Sequence, residues 1–236
     1  MVGERSVYPQ KEQLEQFTAQ LEKTKELSEA EIPEITEAKT ETITASDYVF
    51  GRYKDIEIMG KMYKITLGAK QKIMLEAKSI RDESLPLSVR EKRDDQLTND
   101  VAISDNGYLE NITDGEVTYY VSCGFMGIMT EYTITFGKKE TLDIHDINDV
   151  SIKECSVGST LDLSNETVQT LRYSALLYRD VTKEDSNIKL KAITAHWAKL
   201  IVPAGCVYQI SMPDSCGLLK YDSSWDVYEQ VESTLR

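Results

Sequence analysis

The chain holds 236 residues, room for one large domain or two ordinary ones with a sizeable core. Its 27 Lys and Arg stand against 40 Asp and Glu. The resulting net charge of -13 argues against sequence-independent nucleic-acid binding and against attraction to an anionic membrane surface.

Residues 10–30 are expected to form a helix. Leu14, Phe17, Leu21 and Leu27 recur near helical spacing among Glu, Gln and Lys. That narrow seam suits a surface helix or one that docks and oligomerises. No apolar run approaches the roughly 20 residues of a membrane span. Residues 1–10 lack the apolar core of a signal peptide, so a cytoplasmically made product is expected unless a signal was removed. Residues 31–46 are rich in Glu and Thr, contain Pro33, and read as a linker or extended arm. The expected division is an anchoring segment over 1–46 and a β-rich body over 47–236, with a second boundary in the body near 111–116.

From residue 47 the chain turns strand-rich. Strands are expected at 48–50, 55–58, 62–67 and 72–77. The charged stretch 79–99, with Pro86, reads as a long connection. Residues 101–109 form a hairpin pattern around Asn106-Gly107, and Asp114-Gly115 marks another turn. Strands at 117–121 and 130–136 flank an apolar, glycine-bearing stretch, 123–129, which is core, a bulge or a contact surface. Short strands are expected at 142–150 and 157–163. Ser164 to Thr167 looks like a helix start, with Val168, Leu171 and Leu176 giving a turn or two. Further strands are expected at 175–178, 188–193, 197–202 and 206–212. The tail after Trp225 is acidic and amphipathic.

One phrase recurs: Tyr, any residue, Ile, a hydroxyl residue, then a large apolar residue. It starts at Tyr63, Tyr132 and Tyr208, ending on Leu67, Phe136 and Met212. In a strand, residues two apart share a face, so the Tyr, the Ile and the last residue point one way. The first two copies continue into a Gly-Lys turn and another strand; the third has Pro213 there. Internal duplication and generic strand chemistry both account for the phrase.

Candidate chemistry is sparse. The densest polar cluster, Asp143-Ile144-His145-Asp146-Ile147-Asn148-Asp149, offers oxygen ligands of the kind that hold Ca²⁺. It lacks the glycine and the bidentate Glu of the familiar calcium loop, so a solvated loop is the plainer reading. His196-Trp197 is a binding edge or a half-buried strand pair. With only two His, no Ser-His-Asp arrangement stands out, and there is no nucleophile elbow or phosphate loop. Asn111-Ile112-Thr113 and Asn165-Glu166-Thr167 match the N-glycosylation acceptor. The cysteines, Cys123, Cys155, Cys206 and Cys216, form no Cys-x-x-Cys motif. Cys123 and Cys206 lie in apolar strand contexts, as small buried hydrophobes would. A Cys206–Cys216 bridge and four reduced thiols are both open. Thirteen Tyr against four Phe suit partly wet surfaces, such as sugar and protein contacts.

These features point to a mainly β fold: a β-sandwich or stacked small β modules, preceded by an α-helix and an extended arm. They favour a non-enzymatic structural or assembly protein without cofactor or metal. It would form a homo-oligomer or serve as a subunit of a larger assembly. The layout is similar to that of phage virion accessory proteins such as head fibres and capsid decoration proteins, a likeness of organisation that implies residence in a virion. The alternative is a cell-surface or secreted β-sandwich module binding carbohydrate or protein through Trp197 and Trp225. An enzyme would need two carboxylates to converge, which linear sequence does not show.

Overall fold

In the segment Tyr63-Lys64-Ile65-Thr66-Leu67, side chains alternate apolar and polar, and the three apolar ones are fully buried. The same alternation buries Tyr132, Ile134 and Phe136. The two copies of the phrase thus form strands, and they face each other: the rings of Tyr63 and Phe136 meet edge to face at 4.9 Å. A computed structural model describes residues 25–54, 56–123, 131–176, 188–213, 215–224 and 226–231. The chain is mainly β and divides into two compact units between Leu142 and Asp143.

The first unit contains β1 (Lys25–Glu26), β2 (Lys39–Ile43), β3 (Val49–Tyr53), β4 (Ile56–Leu67) and β5 (Gln71–Ser79). It continues with β6 (Ser88–Arg93), β7 (Gln96–Asp100), β8 (Tyr108–Asn111), β9 (Val117–Cys123) and β10 (Tyr132–Thr141). One sheet has the order β1-β3-β4-β9-β6-β7; the other has the order β2-β10-β5-β8. All pairings are antiparallel except β1 with β3. Their inner faces share one core, with Tyr63, Ile65, Leu67, Val89 and Val121 opposite Ile73, Leu75, Leu109, Ile134 and Phe136. β4 changes neighbour midway: residues 56–60 pair with β3 and 61–67 with β9. Gly60 lies at that switch with φ +127, and a Cβ there would stand 2.8 Å from the Cys123 carbonyl.

The expected helix over 10–30 is not found where it can be described. Residues 25–26 are a strand and 29–31 a 3₁₀ turn, capped by Ser28 and Glu31. Gly51 admits the backbone of β1 there, since a Cβ would lie 2.9 Å from the Lys25 carbonyl. Residues 1–24 lie outside the described residues. The polar stretch 31–46 is extended but built in. Ile32 joins Tyr53, Ile58, Met62 and Tyr120 in a second cluster on the outer face of the larger sheet. Three residues on, Ile35 reaches the inner core. Between them Lys64 N–H donates to the Pro33 carbonyl at 2.9 Å, and Ile35 N–H to the Lys64 carbonyl at 2.8 Å. The arm thus takes the side of β4 that β3 leaves open, then pairs with β10 as β2.

Three further expectations are corrected. The stretch 79–99 is not a plain connection; it holds β6 and β7, joined at Asp94, whose φ is +51. Asn106-Gly107 makes its turn, but only β8 follows as a strand. Gly137-Lys138 is no turn; β10 runs through it with a register shift between Phe136 and Lys139. Residues 111–116 connect β8 to β9 inside the first unit, and 124–130 lie outside the described residues.

The second unit contains β11 (His145–Asp146), β12 (Lys153–Cys155), β13 (Gln169–Leu176), β14 (Ile188–Ala195), β15 (Ala198–Leu200), β16 (Leu218–Asp222) and β17 (Val227–Val231). β13 is its axis, flanked by β14 on one side and by β11 and β17, both parallel, on the other. Leu171, Tyr173 and Ala175 are buried, as are Ile144 and Val227. Here the two-residue alternation overrides the helical spacing of Val168, Leu171 and Leu176. β12 and β15 make a separate parallel pair. Residues 157–163 form no strand, nor does 206–212, the third copy of the phrase.

Candidate functional site

The polar clusters of the first unit tie its layers together. Glu29 accepts two hydrogen bonds from Lys92 of β6, at 2.9 and 3.1 Å, and one from the Tyr53 hydroxyl, at 3.3 Å. The Lys92 hydrogen bond holds the Glu29 carboxyl below its usual range, against the effect of burial. Glu41 of β2 pairs with Lys61 of β4 and Lys39, and accepts from the Tyr63 hydroxyl at 3.1 Å. Burial pushes Glu41 upward, but the hydrogen bonds from Lys61 and Lys39 outweigh it and the carboxyl ends up lowered. Asn111, fully buried, donates to the carbonyls of Leu67, Gly68 and Gly115 and accepts from Thr113 N–H and hydroxyl. Its amide is consumed inside the fold, so this glycosylation motif is closed in the native state; Asn165 is exposed.

The cluster 143–149 is dispersed by the second unit. Asp146 takes a bidentate grip on buried Arg172, at 2.6 and 2.8 Å. Asn148 accepts from the Tyr228 hydroxyl at 2.8 Å. Asp143 and His145 turn instead to an open concavity of about 470 Å³, with Ser151, Thr167, Gln169 and Thr170. Their carboxylate and imidazole are 3.1 Å apart. Among the described residues no three His, Cys, Asp or Glu side chains gather as metal ligands would.

The second unit's most distinctive surface is apolar. Of thirteen large hydrophobic residues exposed among the described residues, only Val49 and Ile80 belong to the first unit. The second unit exposes Ile188, Leu190 and Ile193 on β14, and Ile201, Val202, Val207 and Ile210 beyond β15. Residues 200–213 contain no charged side chain, in a chain where 28% of residues are charged. Val207 is 95% exposed. On a chain of net charge -13 these exposed apolar side chains stand out from the rest of the described surface.

Of the residues expected to mediate interactions, Leu14, Phe17, Leu21 and Trp225 lie outside the described residues. Leu27 is half-buried against the Ile32 cluster, and its N–H donates to the Arg52 carbonyl at 2.7 Å; it packs the first unit. Trp197 is half-buried, its indole N–H donating to the Gln169 carbonyl at 3.1 Å, behind a residue that lines the concavity. All four cysteines are free; Cys206, expected to be buried, is exposed with Cys216. The charge-free run at 200–213 was the signal for the apolar surface, and strand alternation within it obscured that reading. In comparisons with protein-family models, curated proteins and solved structures, nothing matches the chain.

Proposed function

We propose that the chain is a non-enzymatic structural subunit of a larger protein assembly, of the kind that phage head fibres and capsid decoration proteins represent. The first unit is a β-sandwich body. The segment bearing Leu14, Phe17 and Leu21 is an anchor. The second unit contacts neighbouring subunits. One observation carries this reading: exposed large apolar side chains gather on the second unit, above all in the uncharged stretch 200–213. A net charge of -13 keeps free subunits soluble until that surface is covered.

Light scattering on the full chain and on a chain beginning at Lys25 tests it. The start at Lys25 matters, because removing more would take Ile32, Ile35 and Ile43 from the core. The full chain is expected to be oligomeric, and its mass to fall on truncation or on Ile201→Asp. A single-chain mass in every form and at every concentration overturns the reading.

The concavity favours a second reading, a module that binds carbohydrate. Its rim offers a carboxylate, an imidazole, an amide and hydroxyls, all suited to sugar hydroxyls. Binding on a glycan array that is lost in His145→Ala and kept in Ile201→Asp would favour it over the first.

A further inference from the structure

Residues 206–212 read Cys-Val-Tyr-Gln-Ile-Ser-Met, the phrase that at Tyr63 and Tyr132 makes strands buried between partners. Here the phrase has no strand partner among the described residues. After the turn closed by Cys206 N–H on the Pro203 carbonyl, at 3.1 Å, no backbone hydrogen bond of residues 207–212 is found among the described residues. A strand sequence without a ladder leaves its amides to water and its apolar side chains exposed.

The same unit carries the opposite deficit. β14 pairs with β13 over its whole length, from Gln169↔Ala195 to Leu176↔Ile188. Its other edge has no partner among the described residues; beside it Ile188 and Leu190 are exposed on one face of the strand and Ile193 on the other. An open apolar edge of eight residues is a template for another strand.

We infer that residues 206–212 of one copy add as a strand to the open edge of β14 in a second copy, an inference that rests on the assembly reading above. The two lengths match, seven residues to eight. The charges are compatible: the edge carries Lys189 and Lys191, and the incoming segment carries none to oppose them. Within one chain the segment follows β15, which is tied to β12 in a separate sheet, and its own β14 edge has no strand partner among the described residues. Main-chain hydrogen bonds supply the affinity in such an addition, and the apolar side chains on both strands supply the fit. Donor and acceptor are different surfaces, so the contact either closes reciprocally in a two-fold pair or runs head to tail into a ring or a fibre.

Hydrogen exchange read by mass spectrometry on the full chain tests this, at high and low protein concentration. In the wild type, amides of 206–212 are expected to slow about tenfold or more on concentration. Gln209→Pro removes a donor N–H from the segment; Leu190→Lys places a charge on the apolar face that Ile188 and Leu190 share, opposite Lys189 and Lys191. Neither position lies in the core. Each variant alone is expected to lose the protection of 206–212. Mixing the two restores it in the Leu190→Lys chain only, because that chain has the intact segment and the other has the intact edge. Protection that is independent of concentration would mean the segment docks within its own copy, and overturns the inference. So would protection that survives Leu190→Lys, or none at any concentration. If it fails while the mass still falls on removal of residues 1–24, the assembly reading stands without it.

Discussion

Asn111 shows how much one side chain holds in this fold. Its amide and carbonyl groups join the end of β4, the turn after it and the β8–β9 connection. Asn111→Ala takes the amide donor from the carbonyls of Leu67, Gly68 and Gly115 and is expected to destabilise the first unit by about 3 kcal/mol. A fall in the urea midpoint of unfolding would show it. The thiols differ just as sharply. Burial pushes the Cys123 thiol up to about 11, while Cys206 and Cys216 are exposed. Alkylation at pH 8 is expected to modify the two exposed thiols quickly and Cys123 only after unfolding, countable by mass. Glu29 sets a pH dependence. Its carboxyl lies below the ordinary 4.5, chiefly through the Lys92 hydrogen bond, so folding favours the ionised form. That contribution is present in full above 4.5 and is lost as pH falls through the lowered value. The urea midpoint of the wild type should therefore drop between pH 7 and pH 3, and Glu29→Gln should drop less.

At the scale of elements, the arm is the part composition misjudged. Residues 31–46 are polar on average, yet Ile32, Ile35 and Ile43 are spaced to reach three places in two clusters. Ile35→Ala is expected to cost about 3 kcal/mol, and a chain beginning at Ser46 to lose the cooperative thermal transition that a chain beginning at Lys25 keeps. The strands around Tyr63 and Tyr132 were legible because each has one wet and one buried face, which imposes a period of two. β6 and β7 were not. Their residues include Arg90, Glu91, Lys92 and Arg93, whose charges are met by neighbours, as in the Arg93–Glu91 pair at 2.7 Å. Their turn uses an Asp at positive φ in place of the usual Asn-Gly. β13 was misread because apolar residues at 168, 171 and 176 mimic a helical face, while Tyr173 and Ala175 carry the true alternation. The surface at 200–213 was written in the sequence as missing charge, but what a strand pattern pairs with is a property of the fold, and linear order does not show it.

At the scale of the molecule, the two units divide the labour of burial unequally. The first unit's clusters are built from residues 32–136, all on its own side of the division. Residues 25–142 are therefore expected to fold alone, with a cooperative melt and little binding of a hydrophobic dye. The second unit, which exposes most of the large apolar side chains, is expected to account for dye binding by the full chain. A full chain that binds no more dye than residues 25–142 would contradict this.

The pairing of β2 with β10 also bears on how the protein is made. Residues 39–43 find their partners about ninety positions later, at 132–136. At the 5–20 residues per second of ribosomal synthesis, the arm waits roughly 5 to 18 seconds for β10 to be made. During that wait Ile35 and Ile43 lack the β10 side of the core they enter. The Glu and Thr between them, which made the arm look like a mere tether, keep a nascent strand from pairing with the wrong neighbour until its own arrives.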